Sequence, residues 1–222
     1  MLASEDFIVK ICGITTEADA LMCVSQGANA IGFVFAPSIR QMVPSEARDI
    51  VKRLPEDVTA VGVFRNEDKI RVIEIAEEVG LTAVQLHGLE SVEEVAFLRD
   101  FIPTVIRALP AESPSLMEFD HSHADFLLLD GENPGSGESH EWGRLGRTHM
   151  RTPVIAAGGL NPFNVGEVAR TLPVRGVDVS TGVEAGPGRK DPELVSDFIR
   201  AARHGYVNRL PSVGNYPMSE ED

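Results

Sequence analysis

Cysteine, lysine and long apolar runs are all scarce in this sequence of 222 residues. Its two cysteines are too few for a disulfide framework, which favours a reducing, cytoplasmic setting. No apolar run reaches the roughly 18 residues that a membrane-spanning helix requires. The N-terminus has no basic segment followed by an apolar stretch, so we expect no signal peptide. These absences predict a cytoplasmic protein that does not cross a membrane.

Positive charge is also limited. The formal net charge is −14, which argues against nucleic acid and anionic membrane surfaces as partners because both require a positive footprint. Lysine occurs only at positions 10, 52, 69 and 190, so chemistry that depends on a lysine has few candidates. No second histidine, cysteine or carboxylate stands at metal-ligand spacing beside His87, and we expect no metal site.

The chain alternates short apolar runs with amphipathic stretches. The apolar runs are β-branched and aliphatic without strict alternation, which is typical of parallel strands covered on both faces. Predicted strands span residues 7–12, 30–35, 58–64, 83–86, 104–108, 125–129, 153–157 and 176–179. Eight strand–helix units predict one α/β domain, a (β/α)8 TIM barrel over residues 1–203. An open, doubly wound sheet with fewer strands is the alternative.

Helices are predicted between these strands. They span residues 16–26, 45–54, 67–79 and 192–203, and two more begin near Ser91 and Pro162. Ser91 and Glu94 have the spacing of a capping box. The helical segments near residues 113–119 and 141–146 are short and carry proline, glycine or histidine. Residues 204–222 contain prolines and glycines and end in acidic residues, so we expect a poorly ordered C-terminal extension.

Chemistry in such a barrel lies at the C-terminal ends of the strands. Cys12 ends the first strand next to Gly13, and it is either a small core residue or a catalytic thiol. Asp130 ends the sixth strand, a position suited to a general acid or base. Arg40 follows the second strand. It is either a surface charge or a residue that binds a carboxylate with two parallel hydrogen bonds. His87 follows the fourth strand and is better explained as a structural hydrogen-bonding residue.

Glycine-rich loops follow the seventh and eighth strands. Gly158 and Gly159 expose bare backbone in the first loop, and Gly182 does so in the second, beside the hydroxyls of Ser180 and Thr181. Bare backbone and hydroxyl groups are suited to hold a phosphate. Phosphate sites are frequent at these two loops of such barrels. The pattern therefore predicts a ligand that carries a phosphate.

Several motifs together closely resemble the phosphoribosylanthranilate isomerase family of tryptophan biosynthesis. They occur in order along the chain, between about residues 7 and 203, and the first is the most specific. The motifs are Lys-Ile-Cys-Gly-Ile at 10–14, Gln-Leu-His-Gly at 85–88, Asp130 followed by Gly-Ser-Gly at 135–137, Ala-Gly-Gly-Leu at 157–160 and Pro-Gly-Arg-Lys-Asp at 187–191.

The resemblance implies an Amadori rearrangement without cofactor or metal. In that family N-(5-phosphoribosyl)anthranilate becomes 1-(2-carboxyphenylamino)-1-deoxyribulose 5-phosphate, the third step from chorismate to tryptophan. By this resemblance Asp130 is the general acid that opens the ribose ring, and Cys12 is the general base that removes the C2′ proton. Arg40 contacts the anthranilate carboxylate. The residues that the resemblance implies to bind the phosphate are Gly159, Ser180, Thr181 and Gly182.

Other functions fit the sequence less well. The histidine-pathway ribotide isomerase performs the same kind of rearrangement, but that family has a carboxylate where Cys12 stands. Indoleglycerol phosphate synthase depends on lysines at strand ends, whereas the third strand here ends in Phe64 and Arg65. A non-catalytic phosphate-binding barrel would have lost Cys12 or Asp130. The expected partner is the small phosphoribosyl substrate, and the expected assembly is a monomer or a homodimer.

One buried contact follows from alternation along the first strand. Lys10 shares a face with Cys12, and the eighth strand closes a barrel beside the first. We therefore expect Lys10 to pair with Asp178 within about 6 Å, and a cation there favours a Cys12 thiolate. Pro134 and Thr181 stand where the family more often has glycine and serine. They are expected to change loop stiffness or one hydrogen bond only.

Overall fold

The computed structural model describes residues 7–120, 124–130 and 150–209. In them, eight parallel strands close into a barrel in sequence order, with β1 paired to both β2 and β8. The strands are β1 Ile8–Cys12, β2 Ala30–Val34, β3 Thr59–Phe64, β4 Ala83–Leu86, β5 Val105–Pro110, β6 Phe126–Asp130, β7 Val154–Ala157 and β8 Gly176–Val179. The (β/α)8 TIM-barrel prediction is confirmed, and the open-sheet alternative is wrong.

Helices connect most of the strands. They are α1 Glu17–Ser25, α2 Pro44–Val51, α3 Lys69–Val79, α4 Val92–Leu98, α5 Leu116–Asp120, α6 Val165–Thr171 and α7 Pro192–Val207. The capping box of α4 is confirmed, since the Ser91 hydroxyl accepts from the Glu94 N–H at 3.2 Å and the Glu94 carboxylate accepts from the Ser91 N–H at 2.8 Å. Among the residues described, no helix is long and apolar enough to cross a membrane.

An insertion that the sequence analysis did not predict lies between β8 and α7. It consists of a 3-10 turn at Thr181–Val183 and a small antiparallel hairpin, β9 Glu184–Gly186 and β10 Arg189–Lys190. Two hydrogen bonds tie the hairpin to the start of the chain, because Thr15 Oγ1 donates to the Gly188 carbonyl at 2.7 Å and the Lys190 N–H donates to Asp19 at 3.1 Å. The hairpin therefore lies beside the C-terminal end of β1.

Helix α6 begins at Val165 rather than near Pro162. The preceding residues form a turn in which Asn161 Oδ1 accepts from the Phe163 N–H and Asn164 Oδ1 accepts from the Asn161 N–H, both at 2.8 Å. Asparagine side chains that bind nearby backbone in this way compete with the first helical turn.

Helix α7 continues to Val207 rather than ending at residue 203. The Tyr206 ring stacks on Phe7 at 4.2 Å between centroids, and Gly205 packs against Gly166 of α6. These contacts anchor one face of the last turn, so the first residues of the predicted extension are helical. The remainder of the extension, residues 210–222, and the predicted helical segment 141–146 lie outside the described residues.

The core has two layers that follow the alternation of the strands. One cluster fills the inside of the barrel: Ile8, Ala30, Val61, Ala83, Ile106, Ala108, Phe126, Leu128, Ile155 and Ala157. The larger cluster lies between the strands and the helices and includes the fully buried Phe33, Phe64 and Phe198. Side chains alternate with a period of two along each strand. The last inward-facing residues of the strands therefore lie at the C-terminal mouth of the barrel, above the inner cluster.

Lys10 and Asp178 form an ion pair inside the barrel, as predicted. They are register partners on β1 and β8, and Lys10 Nζ lies 2.8 Å from Asp178 Oδ1. The Lys10 side chain is fully buried. Burial opposes its charge, but Asp178 and Cys12 outweigh this effect, and the pKa of Lys10 is raised.

Replacing Lys10 by methionine is expected to lower the free energy of unfolding by about 3 kcal/mol, because Asp178 loses its buried partner. Urea denaturation at neutral pH measures the change. The exposed Lys52→Met is the matched control, with an expected change below about 0.5 kcal/mol. The double variant Lys10→Met/Asp178→Asn is expected to lose less than the sum of the two single losses. If the losses in free energy of unfolding of the two single variants simply added in the double variant, the two residues would not be coupled.

Candidate active site

A pocket of about 580 Å³ opens at the C-terminal ends of the strands. It is lined by Cys12 of β1 and Asp130 of β6, and by Gly158, Gly159, Ser180 and Thr181 of the last two loops. The barrel thus brings together six of the eight predicted site residues, while Arg40 and Gly182 are not among the residues that line the pocket. In the described part of the chain, no group of three or more histidine, cysteine, aspartate or glutamate side chains is placed to hold a metal ion.

Cys12 lies beside a glycine of the next strand. Gly32 of β2 is its register partner, and a Cβ atom added there would lie 2.8 Å from the Cys12 sulfur. Burial raises the pKa of the Cys12 thiol, and Lys10 and Lys190 offset this only in part. The cation predicted beside Cys12 is therefore present as Lys10, but the thiol of the free protein is mainly protonated at neutral pH.

Asp130 ends β6 with a half-exposed carboxyl that faces a histidine. His87 Nε2 lies 3.5 Å from Asp130 Oδ2, and Gln85 Nε2 donates to His87 Nδ1 at 3.1 Å. With Nδ1 as the acceptor, the ring proton is on Nε2, directed at Asp130. His87 lines the pocket, so the purely structural role favoured by the sequence analysis is incomplete. Its inward position two residues after Gln85 was the available signal.

A buried ion pair fixes the loop that carries His87. Glu90 accepts from the N–H groups of Asn66 and Gly88, both at 2.8 Å, and lies 3.1 Å from Arg107 Nη1. The same Arg107 nitrogen donates to the Leu86 carbonyl at 2.8 Å. Glu90 and Arg107 are almost completely buried, and burial lowers the pKa of Arg107 although Glu90 opposes this. These contacts connect the ends of β3 and β4 to β5 and restrain the histidine.

The two glycine-rich loops offer backbone donors to the pocket. Gly158 and Gly159 have φ angles of 78° and 63°, a region that favours glycine. Within the described residues, the N–H groups of Gly158, Gly159 and Ser180 donate no hydrogen bond to another backbone group. Gly182 has a different role from a lining residue, because a Cβ added there would lie 2.0 Å from the Leu160 carbonyl oxygen. It allows the two loops to approach each other.

Arg40 follows β2 and binds a carboxylate of the chain itself. Its Nε donates to Glu184 Oε1 at 2.7 Å and its Nη2 donates to Glu184 Oε2 at 2.6 Å. Glu184 also accepts from Lys190 Nζ at 2.9 Å. Arg40 is therefore not a free surface charge, and contact with a substrate carboxylate stays a prediction. Pro134 and the predicted Gly-Ser-Gly loop at 135–137 lie outside the described residues.

A closed (β/α)8 barrel whose pocket opens at the C-terminal ends of its strands is the architecture of the (β/α)8-barrel enzymes. A family model described as N-(5'phosphoribosyl)anthranilate (PRA) isomerase matches residues 9–201. The N-(5'-phosphoribosyl)anthranilate isomerase of Desulforudis audaxviator is 44% identical over 203 residues, which cover 88% of this chain and 98% of that protein. The chain belongs to the N-(5′-phosphoribosyl)anthranilate isomerase family, as its motifs had indicated.

Solved structures agree with this assignment. The phosphoribosyl anthranilate isomerase from Thermotoga maritima has a TM-score of 0.82 and 40% identity, over 88% of this chain and 98% of that one. A structure of phosphoribosyl anthranilate isomerase in complex with reduced 1-(o-carboxyphenylamino)-1-deoxyribulose 5-phosphate has a TM-score of 0.77 and 39% identity, over the same 88% and 98%.

Gly182→Ala is expected to lower the free energy of unfolding by about 2 kcal/mol, because the new methyl group overlaps the Leu160 carbonyl and forces the two loops apart. Thermal and urea denaturation measure this loss. Gly186→Ala is the matched control, since an added Cβ there meets nothing within 4 Å, and its change is expected to stay below about 0.5 kcal/mol. Equal effects at the two glycines would contradict the close approach.

Alkylation of Cys12 by iodoacetamide is expected to accelerate with pH through a midpoint above 9.0, the ordinary value of a thiol pKa, since only the thiolate reacts. Lys10→Met is expected to move this midpoint higher because it removes the nearest cation. Mass spectrometry of the peptide that contains Cys12 gives the rate at each pH. A midpoint below the ordinary value, or one unchanged in Lys10→Met, would contradict this account of the thiol.

Proposed function

We propose that this chain converts N-(5′-phosphoribosyl)anthranilate into 1-(2-carboxyphenylamino)-1-deoxyribulose 5-phosphate, with Asp130 as general acid and Cys12 as general base. Family membership supports the reaction. The observation that carries the two roles is the position of the thiol and the carboxyl in one pocket, on strands that β7 and β8 separate. A substrate in this pocket is reached from two sides, as the rearrangement requires.

The reaction begins with opening of the ribose ring. Asp130 donates a proton to the ring oxygen while the nitrogen lone pair forms a C1′ iminium and the C1′–oxygen bond breaks. The iminium acidifies the C2′ proton, which the Cys12 thiolate removes to give an enolamine. Protonation at C1′ and loss of the C2′ hydroxyl proton then give the ketone. The substrate and product are isomers, so no oxidant or other co-reactant is consumed.

His87 supports the acid in this scheme. Gln85 holds the imidazole so that its Nε2–H faces Asp130 at 3.5 Å. After Asp130 has given up its proton, this N–H dipole stabilises the carboxylate that remains. Glu90 and Arg107 keep the histidine loop in position for this role.

The raised pKa of Cys12 defines the pH range in which the base acts. A thiolate with a high pKa is a stronger base than an ordinary thiolate, but its fraction at neutral pH is small. Only the minority of molecules that hold a Cys12 thiolate together with a protonated Asp130 are therefore competent to start the reaction.

The phosphate of the substrate is assigned to the two glycine-rich loops. The N–H groups of Gly158, Gly159 and Ser180 have no backbone acceptor among the described residues, and the hydroxyls of Ser180 and Thr181 lie in the same loops. The net charge of −14 gives an anionic substrate no long-range attraction, so its binding depends on local donors such as these.

Turnover of N-(5′-phosphoribosyl)anthranilate, generated in situ and followed by its anthranilate-type fluorescence, tests the proposal. Wild-type protein is expected to be active. Cys12→Ala and Asp130→Asn are each expected to lower kcat by at least about 100-fold, because each loses one proton-transfer step.

Two matched variants serve as controls. Cys23→Ala removes the other thiol, which lies in α1 and whose pKa burial raises to about 12. Asp49→Asn removes an exposed carboxylate that pairs with the adjacent Arg48. Both controls are expected to keep wild-type kcat. A folded wild-type protein without turnover would favour a non-catalytic phosphate-binding barrel, and turnover of the histidine-pathway ribotide alone would favour that isomerase.

A further inference from the structure

We infer that Glu184 is a positioning residue that orients Arg40 toward the carboxylate of the substrate. Glu184 opens the β9–β10 hairpin, and its side chain is only 6% exposed. The inference rests on the proposed function, which supplies a substrate with a carboxylate on its aromatic ring. It goes beyond that function because it assigns the orientation of the Arg40 guanidinium to the buried side chain of Glu184.

Glu184 binds one edge of the guanidinium, and no other hydrogen bond of the Arg40 side chain is formed with the residues that the structure describes. A guanidinium has five N–H donors in one plane. The contacts at 2.7 and 2.6 Å occupy the Nε–H and one Nη2–H of Arg40, which is the side-on arrangement. The second Nη2–H and one Nη1–H point in parallel from the end of the fork. That end can hold a second carboxylate with two hydrogen bonds.

Arg40 is close to the two parts of the pocket that act on the ribose and the phosphate. A Cβ added to Gly13, the residue after Cys12, would lie 2.5 Å from Arg40 Cδ and 3.0 Å from the Ser180 hydroxyl. The guanidinium therefore lies between the end of β1 and the loop after β8. The hydrogen bonds of Glu184 raise the pKa of Arg40, burial opposes this, and the Cys12 thiolate adds a smaller increase.

Lys190 holds Glu184 in turn. Its fully buried Nζ donates to Glu184 Oε1 at 2.9 Å and to the Ser180 carbonyl at 3.1 Å. Burial opposes ionisation of Glu184, but Arg40 and Lys190 outweigh it, and the pKa of Glu184 is lowered. The carboxylate therefore stays ionised, and three hydrogen bonds from Arg40 and Lys190 hold it. Lys190 also connects the Arg40 cluster to the loop assigned to the phosphate.

The charge of this cluster favours an anionic ligand. One carboxylate, Glu184, faces two cations, Arg40 and Lys190, so the three side chains carry a formal charge of +1. Burial of an ion pair costs desolvation and rarely stabilises a fold more than apolar packing would. Its benefit here is preorganisation, because an arginine that is already oriented loses less side-chain entropy when the substrate binds.

A double-mutant cycle with two probes tests the inference. The probes are reduced 1-(2-carboxyphenylamino)-1-deoxyribulose 5-phosphate and its counterpart without the ring carboxylate. Glu184→Gln is expected to weaken the binding of the carboxylated probe about tenfold. Binding of the other probe is expected to weaken less than about twofold. The KM for the substrate is expected to rise about tenfold while kcat changes less than about threefold. In an Arg40→Gln background, Glu184→Gln is expected to have no further effect on either probe.

A second variant and a control keep the outcome unambiguous. Glu184→Asp keeps a negative charge between Arg40 and Lys190 and therefore preserves the fold, but it withdraws the carboxylate by one methylene. Glu184→Asp is expected to weaken the binding of the carboxylated probe about threefold and to leave the binding of the other probe nearly unchanged. Glu17→Gln removes a half-exposed carboxylate that lies 3.3 Å from Arg53 and is expected to change neither probe.

The results that overturn the inference differ from those that overturn the proposed function. Equal weakening of both probes by Glu184→Gln and Glu184→Asp, or losses that add in the Arg40→Gln background, would show that Glu184 has only a structural role. The proposed function fails instead if the folded wild-type protein does not turn over its substrate. Turnover by the wild type with an additive cycle therefore rejects the inference alone.

Discussion

The ion pair between Lys10 and Asp178 joins the two strands that close the barrel, and the pocket is built directly above it. Cys12 follows Lys10 by two residues on β1, and Ser180 follows Asp178 by two residues after β8, so both continue the inward face of their strands. Closure of the sheet therefore brings a thiol and the loop proposed to bind the phosphate to one side of the mouth. Asp130 and His87 stand on β6 and after β4, across the same opening.

The buried cations of this acidic chain orient the groups beside them more than they stabilise the fold through attraction. Lys10 is held by Asp178, Arg107 by Glu90, and Lys190 by Glu184. Desolvation offsets much of the attraction within such pairs, so their main consequence is a fixed direction for the groups beside them. Lys10 moderates the rise in the pKa of Cys12, Arg107 restrains the loop of His87, and Lys190 connects Glu184 to the Ser180 carbonyl.

The side of the pocket formed by the loops after β1, β2, β7 and β8 depends on close backbone approaches as well as on charge. Gly182 touches the Leu160 carbonyl, and Gly13 lies against Arg40 and the Ser180 hydroxyl. These approaches bring the loops after β1, β2, β7 and β8 together around the position assigned to the phosphate. The hairpin β9–β10 completes this side of the mouth, because it carries both Glu184 and Lys190.

The sequence by itself determined the eight strands, the capping box at Ser91 and the Lys10–Asp178 pair, because each follows from a local period, a short spacing or the order of strands around a closed barrel. Tertiary structure alone decided that Arg40 binds Glu184, 144 residues away, and that His87 faces Asp130 across a strand that lies between theirs. No local pattern relates such residues, since their contact depends on how separate loops fold over the same opening. The starting point of α6 was likewise decided by side-chain hydrogen bonds of asparagines, which compete with the helix and leave no periodic signal.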